Sequence, residues 1–106
     1  MSKSATITED TELLHSPSAA DILASEFMEP LGLSNAALAE ALEVSPSVLD
    51  RLVANERAID AELDLRLGRY FSMYEGFFLR LQNRYDLEEA KRSRGAMIDR
   101  ITRRAA

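Results

Sequence analysis

Residues 31–52, LGLSNAALAEALEVSPSVLDRL, contain two short helical patterns separated by about three residues. Ser34 is suited to cap the first helix and Ser45 the second, in which Pro46 takes the first helical position, where no N–H is needed. So short a connection makes the two helices cross sharply. The stretch predicts a helix-turn-helix, so a DNA-binding regulator is the leading hypothesis and a small helical core without a ligand is the alternative.

Apolar spacing divides the second helix of this pair into two faces. The residues predicted to pack inward, because they fall on one side at helical spacing, are Val48, Leu49, Leu52 and Val53. The residues predicted to face outward are Ser47, Asp50, Arg51 and Ala54. The inward residues of the first helix are predicted to be Leu38, Ala39 and Leu42.

Further helices are predicted on both sides of this pair. The first begins at Ser16 or Ser18 and ends where Pro30 and Gly32 interrupt it. After the helix-turn-helix we expect a turn in which Asn55 takes a left-handed conformation, because a short polar side chain tolerates it.

The second half of the chain predicts two long helices and a short one. One runs from near Asp60 to Phe71, with Tyr70 in its apolar stripe. Residues 72–75, Ser-Met-Tyr-Glu, match a capping box for the next helix, which should run towards Arg92. Gly95 is predicted to break it before a last amphipathic turn. The fold class is therefore all-α, a compact bundle of five helices, or six if that last turn forms a helix of its own.

Charge is distributed unevenly along the 106 residues, whose net charge is −5. Residues 1–33 carry one lysine against six carboxylates, whereas residues 60–106 carry ten basic groups against eight acidic ones. We expect residues 1–16 to form a flexible acidic N-terminal arm. Residues 17–92 should form the helix-turn-helix domain with a C-terminal dimerisation helix, and residues 93–106 a basic C-terminal tail or short helix.

Composition argues against catalysis, cofactors and membranes. The chain has no cysteine, which excludes disulfides and thiolate metal sites. The single histidine, His15, has no orienting partner nearby in sequence, so no catalytic residue, metal site or cofactor is predicted. No apolar run approaches the ~20 residues of a membrane span, and a cytoplasmic protein is expected.

Two strings in this order resemble a known family: EPLGLS at residues 29–34 and FFLRLQ at residues 77–82. Residues 15–89 are similar to the HigA/VapI-type antitoxins of the Xre-like helix-turn-helix superfamily. The resemblance implies a lambda-repressor-like bundle that forms a homodimer on a palindromic operator in its own promoter and binds a small RelE-like (HigB-type) ribonuclease toxin. The alternatives are a stand-alone Xre-like regulator, or a toxin-binding module in which DNA binding is weak or lost.

The resemblance also suggests which side chains meet DNA. It implies that Asn35 grips a phosphate and that Pro46, Ser47 and Arg51 face base edges. Physical reasoning agrees for Arg51, which is long enough to bind guanine with two hydrogen bonds, while Arg57 could add a backbone contact. The predicted DNA-binding set is Asn35, Ser45, Pro46, Ser47, Asp50, Arg51 and Arg57.

Two further sets are predicted for protein partners. The last long helix offers more apolar surface than a short bundle needs, which favours dimerisation, although filling the monomer core is the alternative. The dimerisation set is Phe77, Phe78, Leu81 and Tyr85. A nuclease that grips RNA must present basic surface, so acidic residues near the front are predicted to bind the toxin, with a solubilising role as the alternative. This toxin-binding set is Glu9, Asp10, Glu12, Asp21, Glu26 and Glu29.

Four acidic residues depart from the pattern of the family. Glu43 stands in the turn where these domains often use glycine, and Glu56 replaces a cation that would bind phosphate. Asp50 adds a negative charge to the recognition face. Asp64 stands where a small apolar residue is usual. We therefore expect weak operator affinity, or binding that relies on the arm, the tail or the toxin.

Overall fold

A computed structural model describes residues 16–105, and over that range the chain is helical with no strand. The predicted all-α bundle of five helices is confirmed. The first helix, α1, changes type along its length, from α-helical (Ala19–Ile22) through π-helical (Leu23–Met28) to a 3₁₀ turn (Glu29–Leu31). The other four helices are α2 (Asn35–Leu42), α3 (Pro46–Val53), α4 (Ala61–Phe71) and α5 (Phe77–Asp99).

Helix α1 begins with a reciprocal capping box. Of the two predicted caps, the structure uses Ser18, whose Oγ accepts from the backbone N–H of Asp21 at 3.1 Å. The Asp21 carboxylate accepts in return from the backbone N–H of Ser18, also at 3.1 Å. The far end stops as predicted, because Pro30 has no N–H to continue the ladder and Gly32 turns left-handed with φ 64°.

The core lies where α1 to α5 meet. The predicted inward residues of α2 are buried there, as are Leu49 and Leu52 of α3, whereas Val48 and Val53 are only partly buried. The prediction that Tyr70 belongs to the apolar stripe of α4 is wrong, because its side chain is 42% exposed. Phe27 from α1 instead completes the aromatic packing, edge-on to Phe71 and Phe78 with ring centroids 5.1 and 5.2 Å away. The fully buried large side chains are Leu23, Leu38, Leu49, Leu52, Leu67, Phe78 and Asp64.

The N-terminus of α5 is capped from a distance, not by the predicted box at residues 72–75. Ser72 takes a left-handed conformation, φ 61°, and ends α4. Asp64, only 2% exposed, accepts backbone N–H groups from Gly76 at 2.7 Å, Phe78 at 2.9 Å and Leu79 at 3.1 Å. A helix start needs such acceptors and favours negative charge, so this carboxylate satisfies both requirements.

Gly68 allows α4 and the turn after it to approach closely. A Cβ at this position would lie 3.1 Å from the backbone oxygen of Met73. The backbone N–H of Met73 donates to the carbonyl of Gly68 at 2.9 Å, which closes the turn. Without a side chain at this position, the turn can reach back to Asp64.

Only the first part of α5 packs on the domain. Gln82 anchors it to the segment before α4, donating to the carbonyl of Ile59 at 2.7 Å and accepting from the N–H of the same residue at 2.6 Å. Gly95 does not break the helix, because α5 continues to Asp99. Residues 93–99 therefore belong to α5, and the predicted sixth helix is absent from residues 16–105. Within the same range, no helix combines the length and apolarity that crossing a membrane requires.

The Asp64 cap predicts a large stability effect from a near-isosteric change. Asp64→Asn replaces one acceptor oxygen by a donor that faces a backbone N–H, and it removes the charge. We expect the free energy of unfolding to fall by about 3 kcal/mol. Urea unfolding followed by circular dichroism measures it. Glu62→Gln, on the exposed side of the same helix, is the matched control and should change it by less than about 0.5 kcal/mol. Equal unfolding midpoints for the two variants would contradict the role of the cap.

Candidate DNA-binding interface

Helices α2 and α3 form the predicted helix-turn-helix. Ser34 caps α2, with its Oγ accepting from the backbone N–H of Ala37 at 3.0 Å. Ser45 occupies the N-cap of α3 but makes no side-chain cap bond, and its Oγ lies 2.9 Å from the Oγ of Ser47. Pro46 takes the first helical position, as predicted. The first turn of α3 therefore presents small hydroxyl side chains and backbone N–H groups to the outside.

The turn between the two helices has the backbone that glycine would adopt. Glu43 is left-handed, with φ 60° and ψ 44°, and its N–H reaches the carbonyl of Glu40 while that of Val44 reaches Ala39. A side chain in this conformation costs about 1 kcal/mol, so Glu43 changes the stability of the turn and not its path. Arg66 of α4 supports this end of α2, donating to the carbonyl of Leu42 at 2.7 Å.

The second predicted turn is also confirmed. Asn55 is left-handed, with φ 61°. Its side-chain oxygen accepts from the hydroxyl of Ser18 at 3.0 Å. The cap of α1 and the turn after α3 are thus joined, which fixes the far end of α3 against the rest of the domain.

Burial sets the rotation of α3. Leu49 is fully buried and Leu52 is 1% exposed, so the opposite side of the helix faces outward. That side carries Ser47, Asp50 and Arg51, all of which are exposed. No carboxylate among residues 16–105 forms an ion pair with Arg51. Arg51 is therefore the cation of this face with its donors available for a ligand.

Asn35 and Asp50 come together on the same surface. The amide nitrogen of Asn35, at the first position of α2, donates to Oδ1 of Asp50 on α3 at 3.1 Å. The sequence placed both residues in the DNA-binding set but did not predict this contact, because 15 residues separate them. The hydrogen bond orients the carboxylate and occupies one of its two oxygens.

Arg57 differs from its predicted role as a free phosphate contact. Its guanidinium pairs with the Asp60 carboxylate at 3.1 Å, and its side chain is only 26% exposed. The same carboxylate caps α4 through the backbone N–H of Leu63 at 2.9 Å. Local pairing thus compensates the charge of Arg57, while Glu56 beside it is exposed.

The predicted dimerisation set faces the domain itself. Phe78 is 0% exposed and belongs to the monomer core, which corrects its assignment to a dimer surface. Phe77, Leu81 and Tyr85 are half-buried. Leu81 and Tyr85 line a cavity of about 270 Å³ beside Pro17. The alternative, filling the core of one chain, therefore describes Phe78, while the part of the other three residues in a dimer stays a prediction.

An exposed apolar stripe, called the outer stripe below, lies on the face of α5 that points away from the core. It was not identified as a surface from the sequence. Leu87 follows Phe78 by nine residues, two and a half turns at about 3.6 residues per turn, so it faces away from the core. Met97, Ile98 and Ile101 continue this side towards the helix end and just beyond it, with exposures of 55, 49 and 71%, and Leu87 is 61% exposed. The signal was present in the spacing of residues 87, 98 and 101, which are eleven and three residues apart, but the expected break at Gly95 divided it.

The predicted toxin-binding residues are divided between two parts of the chain. Glu9, Asp10 and Glu12 lie outside the described residues, as does the greater part of the predicted arm. Asp21 is exposed but is engaged in the capping box of α1. Glu26 and Glu29 are exposed and one helical turn apart.

Comparison with known proteins identifies the family. No model of a protein family matches the chain. Virulence-associated protein I of Dichelobacter nodosus is 43% identical over 74 residues, which cover 70% of this chain and 68% of that protein. The chain belongs to the HigA/VapI antitoxin family.

Structural and further sequence comparisons agree with this assignment. The structure of the Pseudomonas aeruginosa antitoxin HigA with the higBA promoter is 35% identical, with a TM-score of 0.78 over 86% of this chain and 100% of that one. An HTH-type transcriptional regulator of Haemophilus influenzae is 37% identical over 78 residues, covering 71% of this chain and 73% of that protein. HigA/VapI relatives thus include proteins named as antitoxins and proteins named only as regulators.

Proposed function

We propose that the chain is the antitoxin of a toxin-antitoxin pair, repressing its own operon by binding an operator as a homodimer and neutralising a RelE-like toxin. The observation that carries the DNA-binding part is the exposed polar face of α3 in a fold that matches a HigA antitoxin bound to its promoter. The toxin-binding part rests on family membership and on the acidic surface of α1.

The face of α3 suits the major groove. An α-helix fits the width of that groove, and an arginine there pairs with O6 and N7 of guanine. Arg51 has the length and the free donors for this contact. The N-terminal turn of α3 supplies N–H groups and the positive end of the helix dipole to a phosphate. Arg51 is therefore the leading reader of sequence, and the helix start is the leading positioning contact.

Affinity is expected to be modest for one copy. Phosphate binding depends on the number of cations that replace counterions. Arg57 is paired with Asp60 and Arg66 with Glu62, at 3.1 and 2.8 Å, so two cations near the helix-turn-helix are already compensated. The expectation of weak operator binding remains a prediction, and it makes the second copy important.

A second copy would cover the outer stripe of α5. A palindromic operator is read by two recognition helices about 34 Å apart, which requires a symmetric dimer. The outer stripe, formed by Leu87, Met97, Ile98 and Ile101, is the apolar surface that the domain leaves uncovered along one helix.

The acidic face of α1 is the proposed toxin contact. Glu26 and Glu29 are exposed and about one helical turn apart on α1. A ribonuclease needs basic surface to hold RNA, and opposite charge speeds association. The relatives named as regulators favour one other function, repression without a toxin. The gene neighbourhood separates the two, since a toxin requires an adjacent gene for a RelE-like protein.

Removal of the Arg51 side chain should abolish selective DNA binding. We expect Arg51→Ala to weaken binding to the chain's own promoter at least about tenfold and to leave binding to scrambled DNA nearly unchanged. Fluorescence anisotropy at one fixed salt concentration measures both. Arg69→Ala, which removes an exposed cation of α4, is the matched control and should behave as the unmodified chain. Equal losses of promoter affinity for the two variants would show that the positive charge matters and that Arg51 does not read a base.

Charges on the outer stripe should separate the dimer. In Leu87→Glu/Met97→Glu, each copy would bury carboxylates in the interface, so we expect a monomer in sedimentation velocity. Promoter binding should weaken in parallel. Leu65→Glu, at a 51% exposed leucine of α4, is the control and should remain dimeric. A dimer that survives the double change would place the interface elsewhere.

Charge reversal on α1 should slow toxin capture. For Glu26→Lys/Glu29→Lys we expect association with the neighbouring RelE-like protein to be at least about tenfold slower at low salt. Surface plasmon resonance with the immobilised toxin measures the rate. Glu75→Lys/Glu62→Lys, at exposed sites on and after α4, is the charge-matched control. Equal rates for the two variants would rule out α1 as the toxin contact.

A further inference from the structure

The contact between Asn35 and Asp50 gives the acidic residue of α3 a specific task. We propose that Asp50 reads a cytosine in the operator and that Asn35 positions it for this contact. The proposal rests on the proposed function, because it assumes that α3 enters the major groove. It assigns a base preference to a carboxylate whose negative charge, taken alone, would be expected only to repel DNA.

Position on the helix places Asp50 at the bases whenever Arg51 is there. The two residues are adjacent in sequence, exposed, and lie opposite the buried Leu49 and Leu52. Asp50 is the fifth of the eight residues of α3, one turn after Pro46, and lies directly after the N-terminal half, which approaches base edges in this motif. A groove contact by Arg51 therefore brings the neighbouring carboxylate within reach of an adjacent base pair.

The hydrogen bond from Asn35 limits what the carboxylate can do. One oxygen, Oδ1, accepts from the Asn35 amide at 3.1 Å, which holds the side chain in one orientation. The second oxygen, Oδ2, is left to accept from a ligand. A carboxylate has acceptors and no donors, so Oδ2 is complementary only to a base edge that donates.

The major-groove edges of the bases distinguish cytosine from the other three. Guanine presents two acceptors, N7 and O6, and thymine presents the acceptor O4 with a methyl group, so both repel or exclude a carboxylate. Adenine offers the N6 donor beside the acceptor N7. Cytosine offers the N4 donor with no acceptor next to it, which makes it the best partner of Oδ2.

This reading differs from simple repulsion in a measurable way. An Asp50 that faced only phosphates would lower the affinity for every sequence to the same degree. An Asp50 that accepts from cytosine lowers the affinity for most sequences but spares those with cytosine at one position of each half-site. The expected discrimination for a single contact of this kind is about tenfold between cytosine and guanine.

Selection from random DNA tests the proposal on the full-length chain. We would enrich duplexes with a randomised 20-base-pair core and sequence them for the unmodified chain and for Asp50→Asn. We expect a cytosine at one position of each half-site for the unmodified chain. Asp50→Asn should lose the cytosine preference at that position, because the amide nitrogen that takes the place of Oδ2 is a donor and cannot accept from N4. The remaining positions should keep their preference.

Two further variants separate reading from positioning. Glu40→Gln, which removes an exposed carboxylate of α2 outside the predicted DNA-binding set, is the matched control and should leave the cytosine preference in place. Asn35→Ala should reduce the cytosine preference several-fold at the same position alone, whereas a merely structural role would lower all preferences together. Asn35 and Asp50 lie on the surface, so circular dichroism should show unchanged folding.

Each outcome of the selection has a distinct meaning. If the unmodified chain enriches a sequence and Asp50→Asn enriches the same one, the inference about Asp50 is wrong while the proposed function stands. A uniform gain in affinity for all sequences in Asp50→Ala likewise identifies repulsion and overturns it. If the unmodified chain enriches no sequence, operator reading itself fails, and the inference fails with it.

Discussion

The buried carboxylate of Asp64 fixes how the two halves of the domain join. It accepts three backbone N–H groups at the start of α5, and at 2% exposure it has given up nearly all contact with water. Such burial is tolerated because the donors and the helix dipole replace hydration. The start of α5 is thereby held against α4, which in turn places Phe78 in the centre of the core.

The recognition surface follows from that core. Leu38 of α2, Leu49 of α3 and Phe78 of α5 all have 0% exposure, so no helix can rotate without opening a cavity. The rotation of α3 decides which residues face outward, and those are Asp50, Arg51 and their neighbours. Packing of the core thus places Asp50 and Arg51 on the outer face of α3.

Local signals were sufficient to predict most of the fold, whereas contacts between distant residues were not. Ser18, Ser34 and Asn55 act within a few residues, and the structure confirms the helix starts and turn assigned to them. The box at residues 72–75 was wrong because Asp64, 12 to 15 residues before its donors, supplies the cap instead. The Asn35–Asp50 contact was hidden for the same reason, so the outward face of α3 was predictable from the sequence but its contact with α2 was not.

Charge pairing within the domain affects how the affinity for DNA is divided between phosphate contacts and base contacts. With Arg57 and Arg66 engaged by neighbouring carboxylates, fewer cations near the helix-turn-helix are free to replace counterions, so base contacts are expected to carry a larger share of the affinity. Such contacts are worth little for one copy, but two linked copies raise the effective concentration of the second reading helix. Under the proposed function, weak single-copy affinity combined with discriminating contacts would make operator occupancy depend on the dimer. A partner that disturbed that dimer would then control repression without touching α3.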